Sequence, residues 1–268
     1  MIHPTASVDP RASLGAGVNV GPFCVVGPDV VLEDGVELVS HVVADGHTRI
    51  GAGTKVFPFA TIGLAPQDLK YRGEPTETVI GPGCTIREHC TIHRGTVTGH
   101  GITRVGAGCL LMAVVDVAHD CALGDNIVIA NNVVMGGHVE IADRAIIGGA
   151  TAIHQFVRIG TGAMVGGASG VEADVIPYGS VIGNRARLHG LNIVGLRRRG
   201  LDKEGQHRLR NAYRLLFQGA GTFAARVEML RREAGDDPYL AEILTFIDAP
   251  SKRGLIRSTT RHDADAEA

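Results

Sequence analysis

Tryptophan is absent from the 268 residues, and all aromatics together make up only 4%. A thick globular core built on aromatic anchors is therefore excluded, and the interior has to be made of Val, Ile, Leu and Ala. No Cys-x-x-Cys pair occurs and the five cysteines are odd in number, which argues against a disulfide framework. No apolar run is long enough to span a bilayer. Met1-Ile2-His3-Pro4 offers neither the basic nor the apolar region of a signal peptide. A cytoplasmic protein without stable membrane insertion is the expectation. Charge of one sign is also lacking, the net value being −2, and Pro is ordinary at 11. Gly, by contrast, numbers 37, about twice the usual fraction. Excess Gly without excess Pro points to an ordered chain with many tight corners.

What is present is a period of six. An aliphatic residue recurs at every sixth position from Val8, Leu14 and Val20 to Ile62, resumes at Ile80, Ile86 and Ile92, slips by one, and then runs unbroken from Val105 to Val171. Neither a helix period of 3.6 nor a strand period of 2 gives such a series; a fixed hexapeptide repeat marks a parallel β-helix. Four residues after each aliphatic position stands a small one, such as Val18, Thr54, Ala60 or Val133. All five cysteines (Cys24, Cys84, Cys90, Cys109, Cys121) fall there and read as small inward-facing hydrophobes, not catalytic thiols. Gly, Asp and Asn in between supply corners. Three hexads make one 18-residue coil of a triangular prism, with coils about 4.8 Å apart. The period leaves the handedness open.

The fold class expected is mainly β: a β-helix over residues 1–184, interrupted by an inserted loop at 64–79, then a basic α-helical domain over 185–257. Residues 258–268 are expected to be a disordered tail. A second, Gly-rich excursion spans Thr96–Thr103. From Asp202 the period becomes helical, with Leu209, Ala212, Tyr213, Leu216 and Phe217 on one face and Asp202 as N-cap. Thr222 and Pro238 open two further helices. Between Arg185 and Arg232 there are 12 Lys+Arg against 3 Asp+Glu. This surplus suits an acidic protein partner or anionic groups held near Arg197-Arg198-Arg199. Nucleic acid is not expected.

Chemistry is expected in the hexad of Val117. His119 and Asp120 stand two and three residues after it, both read as outward-facing, and adding 18 leads to Gly137 and His138, then to Gln155 and Phe156. His154 lies beside Gln155. A neutral imidazole next to a carboxylate is a competent general base, and a Gly one coil away leaves its N–H open to a developing oxyanion.

These residues carry a resemblance. The hexads, the loop Gln67-Asp68-Leu69-Lys70-Tyr71, the segments Thr91-Ile92-His93-Arg94-Gly95 and Ala118-His119-Asp120, the triplet His154-Gln155-Phe156, Asn192-Ile193 and Gly195-Leu196-Arg197-Arg198-Arg199-Gly200 resemble the UDP-N-acetylglucosamine acyltransferase family that starts lipid A synthesis. The likeness covers residues 1 to about 257. It implies a left-handed β-helix, a homotrimer with active sites between subunits, no cofactor and no metal. It also implies transfer of an (R)-3-hydroxyacyl group from acyl carrier protein to the 3-hydroxyl of UDP-N-acetylglucosamine. On it, His119 matches the general base, Asp120 its partner and the Gly137 N–H the oxyanion donor. Gln67, Asp68, Lys70, His93, His138, His154 and Gln155 match positions around the sugar, the phosphates and the phosphopantetheine arm. Asn192, Arg198 and Arg199 match positions reaching the nucleotide, and Gly167 matches a ruler of acyl length. Two residues depart from the pattern: Asp116 stands where the family often has His, and Val194 where it often has an acid.

Four other readings compete. A related N-acyltransferase carries an extra N-terminal uridine-binding domain and is disfavoured, because the hexads here begin at Val8. The same transfer onto a 3-amino sugar would give an amide. A hexapeptide-type carbonic anhydrase would hold a metal between three His, and only His89 and His93 form a close pair. A purely structural solenoid leaves the His column and the Arg run unexplained.

Overall fold

The computed structural model describes residues 1–258; the expectation for the tail falls mostly on 259–268, outside the described residues. The hexads wind into three parallel sheets, each taking every third strand, so that the chain visits three faces in turn. The first face has nine strands, from Ser7–Val8 to Gly170–Val171, and the second eight, from Ser13–Leu14 to Arg158–Ile159. The third has ten and starts at Asn19–Val20. Register follows the repeat: Val117 pairs with Ile92 on one side and Met135 on the other, and Met135 pairs with Ile153.

The repeat explains this packing directly. The aliphatic position points inward, where Leu32, Ile62, Leu111 and Ile129 are wholly buried. The small residue four places on fills the space beside it. The five cysteines are buried there, and all five donate their S–H to carbonyls, as Cys84 does to Gly106 O at 3.0 Å and Cys90 to Met112 O at 3.1 Å. They are core residues, as the spacing predicts. The third corner residue adopts the left-handed conformation even where it is bulky, as at Val114 (φ 63°) and Phe156 (φ 65°). The ladders above and below fix these positions and offset a strain that isolated residues would not tolerate.

The inserted loop is shorter than expected, because strands Thr61–Leu64 and Glu77–Ile80 extend into it from both sides. The third sheet also continues past residue 184. Gly179–Ile182 still pairs in parallel with Met164–Val165, and Arg187–Leu191 folds back antiparallel onto it. Helices follow: α1 (Ile193–Arg198), α2 (Lys203–Gln218), α3 (Phe223–Glu233) and α4 (Pro238–Asp248). The expected caps are in place. Asp202 accepts from Gly205 N at 2.7 Å and Thr222 from Ala225 N at 3.2 Å, while Pro238 sits in the first turn of α4. Leu209, Leu216, Leu230 and Ile243 form a second, smaller core between the helices. After α4 the chain returns to the β-helix, where the Asp174 N–H donates to Gly254 O at 2.8 Å and the Ile256 N–H to Asp174 O at 2.9 Å.

Candidate active site

The corner between the first and second faces carries His119, Asp120, Gly137, His138 and Gln155. The Asp120 carboxylate accepts from His119 Nδ1 at 2.8 Å. Since a carboxylate can only accept, Nδ1 carries the proton, and in the neutral ring the lone pair is on Nε2. Gly137 lies directly under the ring: a Cβ there would come within 2.5 Å of His119 Cε1 and 2.7 Å of Nε2. Among the described residues the Gly137 N–H donates to no protein acceptor. The His138 ring meets His119 edge-on at 5.2 Å and stacks on Phe156 at 4.5 Å. Burial pushes the His138 imidazole below its ordinary pKa, against the attraction of the Asp120 carboxylate.

Asp120 does not face outward. Its side chain is fully buried, because the Gly-rich excursion folds over it. Thr96 Oγ1 donates at 2.6 Å, His100 N at 2.8 Å and Gly101 N at 3.1 Å, with Thr96 N at 3.1 Å to Oδ2. A Cβ on Gly99 would fall 2.3 Å from the carboxyl carbon, so the loop has to be Gly there. Asp120 also donates its own N–H to Thr103 Oγ1 at 2.8 Å. Burial alone would raise the Asp120 pKa, but the hydrogen bonds from His119 and Thr96 outweigh it and hold the carboxyl well below the usual range. Sequence reasoning missed this cradle of Thr96, Gly99, His100 and Thr103. The signal was the Gly-rich excursion itself, inserted one coil before the His-Asp pair.

On the adjoining first face His93 sits one coil from Ala118. Its Nε2 lies 3.5 Å from Asp116 and 3.5 Å from Gln67 Nε2, while Nδ1 meets Ala65 O at 3.1 Å. The Asp116 hydrogen bond pushes the His93 pKa up, burial opposing it. The departure at Asp116 thus gives His93 a carboxylate partner, and Thr91 Oγ1 donates to the same carboxylate. Asp68 accepts from Lys70 N at 2.9 Å, ordering the loop tip. His154 stands on the third coil of the corner, against Arg253.

The remaining expected residues lie elsewhere. Gly167 is in the corner between the third and first faces, not that of Gln155; its Cβ would meet Gly149 O at 3.2 Å. Asn192 caps α1, accepting from Gly195 N at 2.9 Å and donating to Gly162 O at 3.0 Å. Arg198 lies in the last turn of α1, and Arg199 lies over Tyr178, its guanidinium close to Gly162 in the corner between the second and third faces. α1 is six residues long, too short to show a period, which is why the sequence suggested only a basic junction.

A shared cation finds little support. His119, Asp120 and His138 approach within 4.8 Å, but both Asp120 oxygens are occupied by donors. His89 stacks on Phe59 at 5.0 Å, one corner away from His93, so the two do not converge.

Residues 174–256 match the family model described as UDP-N-acetylglucosamine O-acyltransferase, domain 2. The chain is 52% identical over 95% of its length to an acyl-(acyl-carrier-protein)–UDP-N-acetylglucosamine O-acyltransferase of Azorhizobium caulinodans, covering 94% of that protein. It is 47% identical over 96% of its length to the Rhizobium johnstonii protein of the same name, covering 95% of it. The crystal structure of the Moraxella catarrhalis UDP-N-acetylglucosamine O-acyltransferase superposes with a TM-score of 0.92 at 43% identity, over 96% of this chain and 99% of that one. These relatives are O-acyltransferases by name, so neither the amide-forming nor the metalloenzyme alternative is favoured. The fold is accordingly the left-handed parallel β-helix with a small helical C-terminal part. With likeness along nearly its whole length in both sequence and fold, the chain belongs to the acyl-(acyl-carrier-protein)–UDP-N-acetylglucosamine O-acyltransferase family.

Proposed function

We propose that this enzyme transfers an (R)-3-hydroxyacyl group from acyl carrier protein to the 3-hydroxyl of UDP-N-acetylglucosamine, the first step of lipid A synthesis, with His119 as general base. The observation that carries the mechanism is the His119–Asp120 hydrogen bond at 2.8 Å, held from behind by the loop and lying over Gly137. His119 Nε2 takes the proton of the sugar 3-hydroxyl as its oxygen attacks the thioester carbonyl. The developing oxyanion accepts from the Gly137 N–H. Asp120 holds the ring in the tautomer that leaves Nε2 free and stabilises the imidazolium that forms. Collapse of the tetrahedral intermediate breaks the C–S bond, and the imidazolium returns its proton to the departing thiolate of the carrier.

Gln67, Asp68, Lys70, His93, His138, His154 and Gln155 are the proposed contacts to sugar, phosphates and carrier arm, with Asn192, Arg198 and Arg199 reaching the nucleotide and Gly167 setting acyl length. One chain distributes these residues over three corners of its prism, so a complete site needs corners from different copies. This supports a homotrimer with the sites between subunits. The segment running from the end of the β-helix into the helices is the proposed docking surface for the acidic carrier, on the strength of 12 basic against 3 acidic residues between Arg185 and Arg232. Among the described residues no helix is long and apolar enough to cross a membrane; action in the cytoplasm is part of the proposal.

The test is His119→Ala assayed with UDP-N-acetylglucosamine and a 3-hydroxyacyl carrier. Turnover should fall by about 10²–10⁴-fold with KM for the sugar nearly unchanged. Turnover at the wild-type rate would remove His119 from the mechanism.

A further inference from the structure

The segment that follows α4 makes the contact the family reading leaves unused. Pro250–Gly254 runs back along the β-helix and is fixed at both ends. On one side the Asp174 and Ile256 backbone bonds tie it to the last coils. On the other, Arg158 pairs with the buried Asp174 at 2.7 Å and reaches Phe246 O at 3.3 Å. The turn itself is closed by Ser251 Oγ, which accepts from Arg253 N at 3.0 Å and Gly254 N at 2.8 Å. Thus held, Lys252 and Arg253 face the catalytic corner. Lys252 Nζ lies 3.9 Å from the centre of the Phe156 ring, on which His138 stacks. Arg253 Nε donates to Gln155 O at 2.8 Å, and its Nη2 lies against the His154 imidazole.

The Gln155 carbonyl belongs to the same peptide unit as the Phe156 N–H, which donates to Gly137 O at 3.1 Å. The Gly137 carbonyl in turn shares a peptide with the His138 N–H, which donates to His119 O at 3.0 Å. A guanidinium therefore stands at the head of a column of aligned peptides that ends on the general base. Such a column polarises cooperatively, and a charged donor at its head strengthens every bond below it. It also fixes the Gly137–His138 peptide, which adjoins the peptide carrying the Gly137 N–H.

We propose that Arg253 is a positioning residue for the acyl transfer, orienting the Gly137 and His119 peptides through the Gln155–Phe156 peptide and holding His154 in place. The inference rests on the reading of His119 and Gly137 given above. It assigns to the chain's C-terminal return a part in turnover, beyond closing the fold.

The experiment is Arg253→Ala and Arg253→Lys in the full-length enzyme, with kcat and KM measured for both substrates alongside thermal unfolding. Loss of a charge-assisted hydrogen bond to a fixed peptide should lower kcat by about tenfold or more, leaving the shape of the pH profile unchanged because the His119–Asp120 pair is intact. Lysine should restore little, since one ammonium cannot reach both Gln155 O and the His154 ring as the planar fork does. Guanidinium chloride, added well below denaturing concentration, should recover part of the activity of Arg253→Ala and none in Arg253-containing enzyme. An unchanged kcat would overturn the proposal. So would a loss that follows the fall in melting temperature and is not rescued, since that marks a structural contact only. The wild-type enzyme in the same assay reports separately on the acyl-transfer reading itself.

Discussion

Gly137→Ala isolates the geometry of the base. The added Cβ would stand 2.5 Å from His119 Cε1 and 2.7 Å from Nε2, against an ordinary contact of about 3.5 Å. The ring has to retreat by about 1 Å, because the other side of the contact is backbone fixed by the coil. That displacement, normal to the ring, bends the 2.8 Å bond between His119 and Asp120 out of line and carries Nε2 away from its place over Gly137. A misplacement of about 1 Å at the reacting group costs on the order of 10²-fold in rate, so kcat should fall by about that factor. Stability should hardly move. Gly137 is outside the left-handed region, so Ala gains about 0.4–1 kcal/mol from the unfolded chain, which offsets the weakening of a hydrogen bond worth about 0.5–1.5 kcal/mol. Initial rates with saturating donor and acceptor, together with urea unfolding, measure both quantities. A variant turning over within about threefold of wild type would refute the view that Gly137 is there to admit the His119 ring.

Three further outcomes are expected. The folded Asp120 carboxyl lies below the usual range, so its stabilisation is present above the unfolded pKa of about 3.9 and is lost as pH falls through the folded value. Asp120→Asn should lower stability at neutral pH by about 1–3 kcal/mol, and urea titrations between pH 2 and 7 (roughly the carboxylate range) should show its acid loss flattened; an unchanged curve would contradict the cradle. The His93 pKa is raised, first by Asp116, so that pair stabilises fully below the unfolded value of about 6.5 and weakens as pH rises through the folded one. In NMR titration His93 should lie above 6.5 (about the free value) in the wild type and drop in Asp116→Asn; equal values in both would remove the partnership. Gly167→Met should move donor preference toward shorter acyl groups with little change in sugar KM. Each buried methylene is worth about 0.8 kcal/mol, so four could separate myristoyl-class from decanoyl donors by about two orders of magnitude, and an unchanged preference in a competition assay would discard the ruler.

The coil was readable in advance because its cause is local. Each hexad supplies an inward aliphatic, a small neighbour and a corner, and stacking at 18 residues follows from counting. The column of His119, Gly137 and Gln155 follows from the same arithmetic. What counting cannot give is what insertions do. The excursion at Thr96–Thr103 has no period, yet it decides that Asp120 is buried and not exposed. α1 was hidden by its length, and Arg187–Leu191 by reversing direction at the end of a repeat. Gly167 shares its depth within the hexad with Gln155 but is two hexads away and not a whole coil, so it stands at a different corner. The return of Lys252 to Phe156 and of Arg253 to Gln155 joins positions far apart in the chain, 98 residues in the case of Arg253. Contacts at that separation depend on tertiary folding alone and leave no local pattern to read.

The central claim is the reaction. Purified enzyme incubated with UDP-N-acetylglucosamine and a mixed pool of 3-hydroxyacyl carrier proteins should yield one dominant product in mass spectrometry. Its mass should equal the sugar nucleotide plus a single 3-hydroxy acid of the myristoyl class, less one water, and its acyl linkage should be cleaved by mild base as an ester is. Unaltered sugar nucleotide, or a product whose acyl group resists mild base as an amide does, would contradict the account.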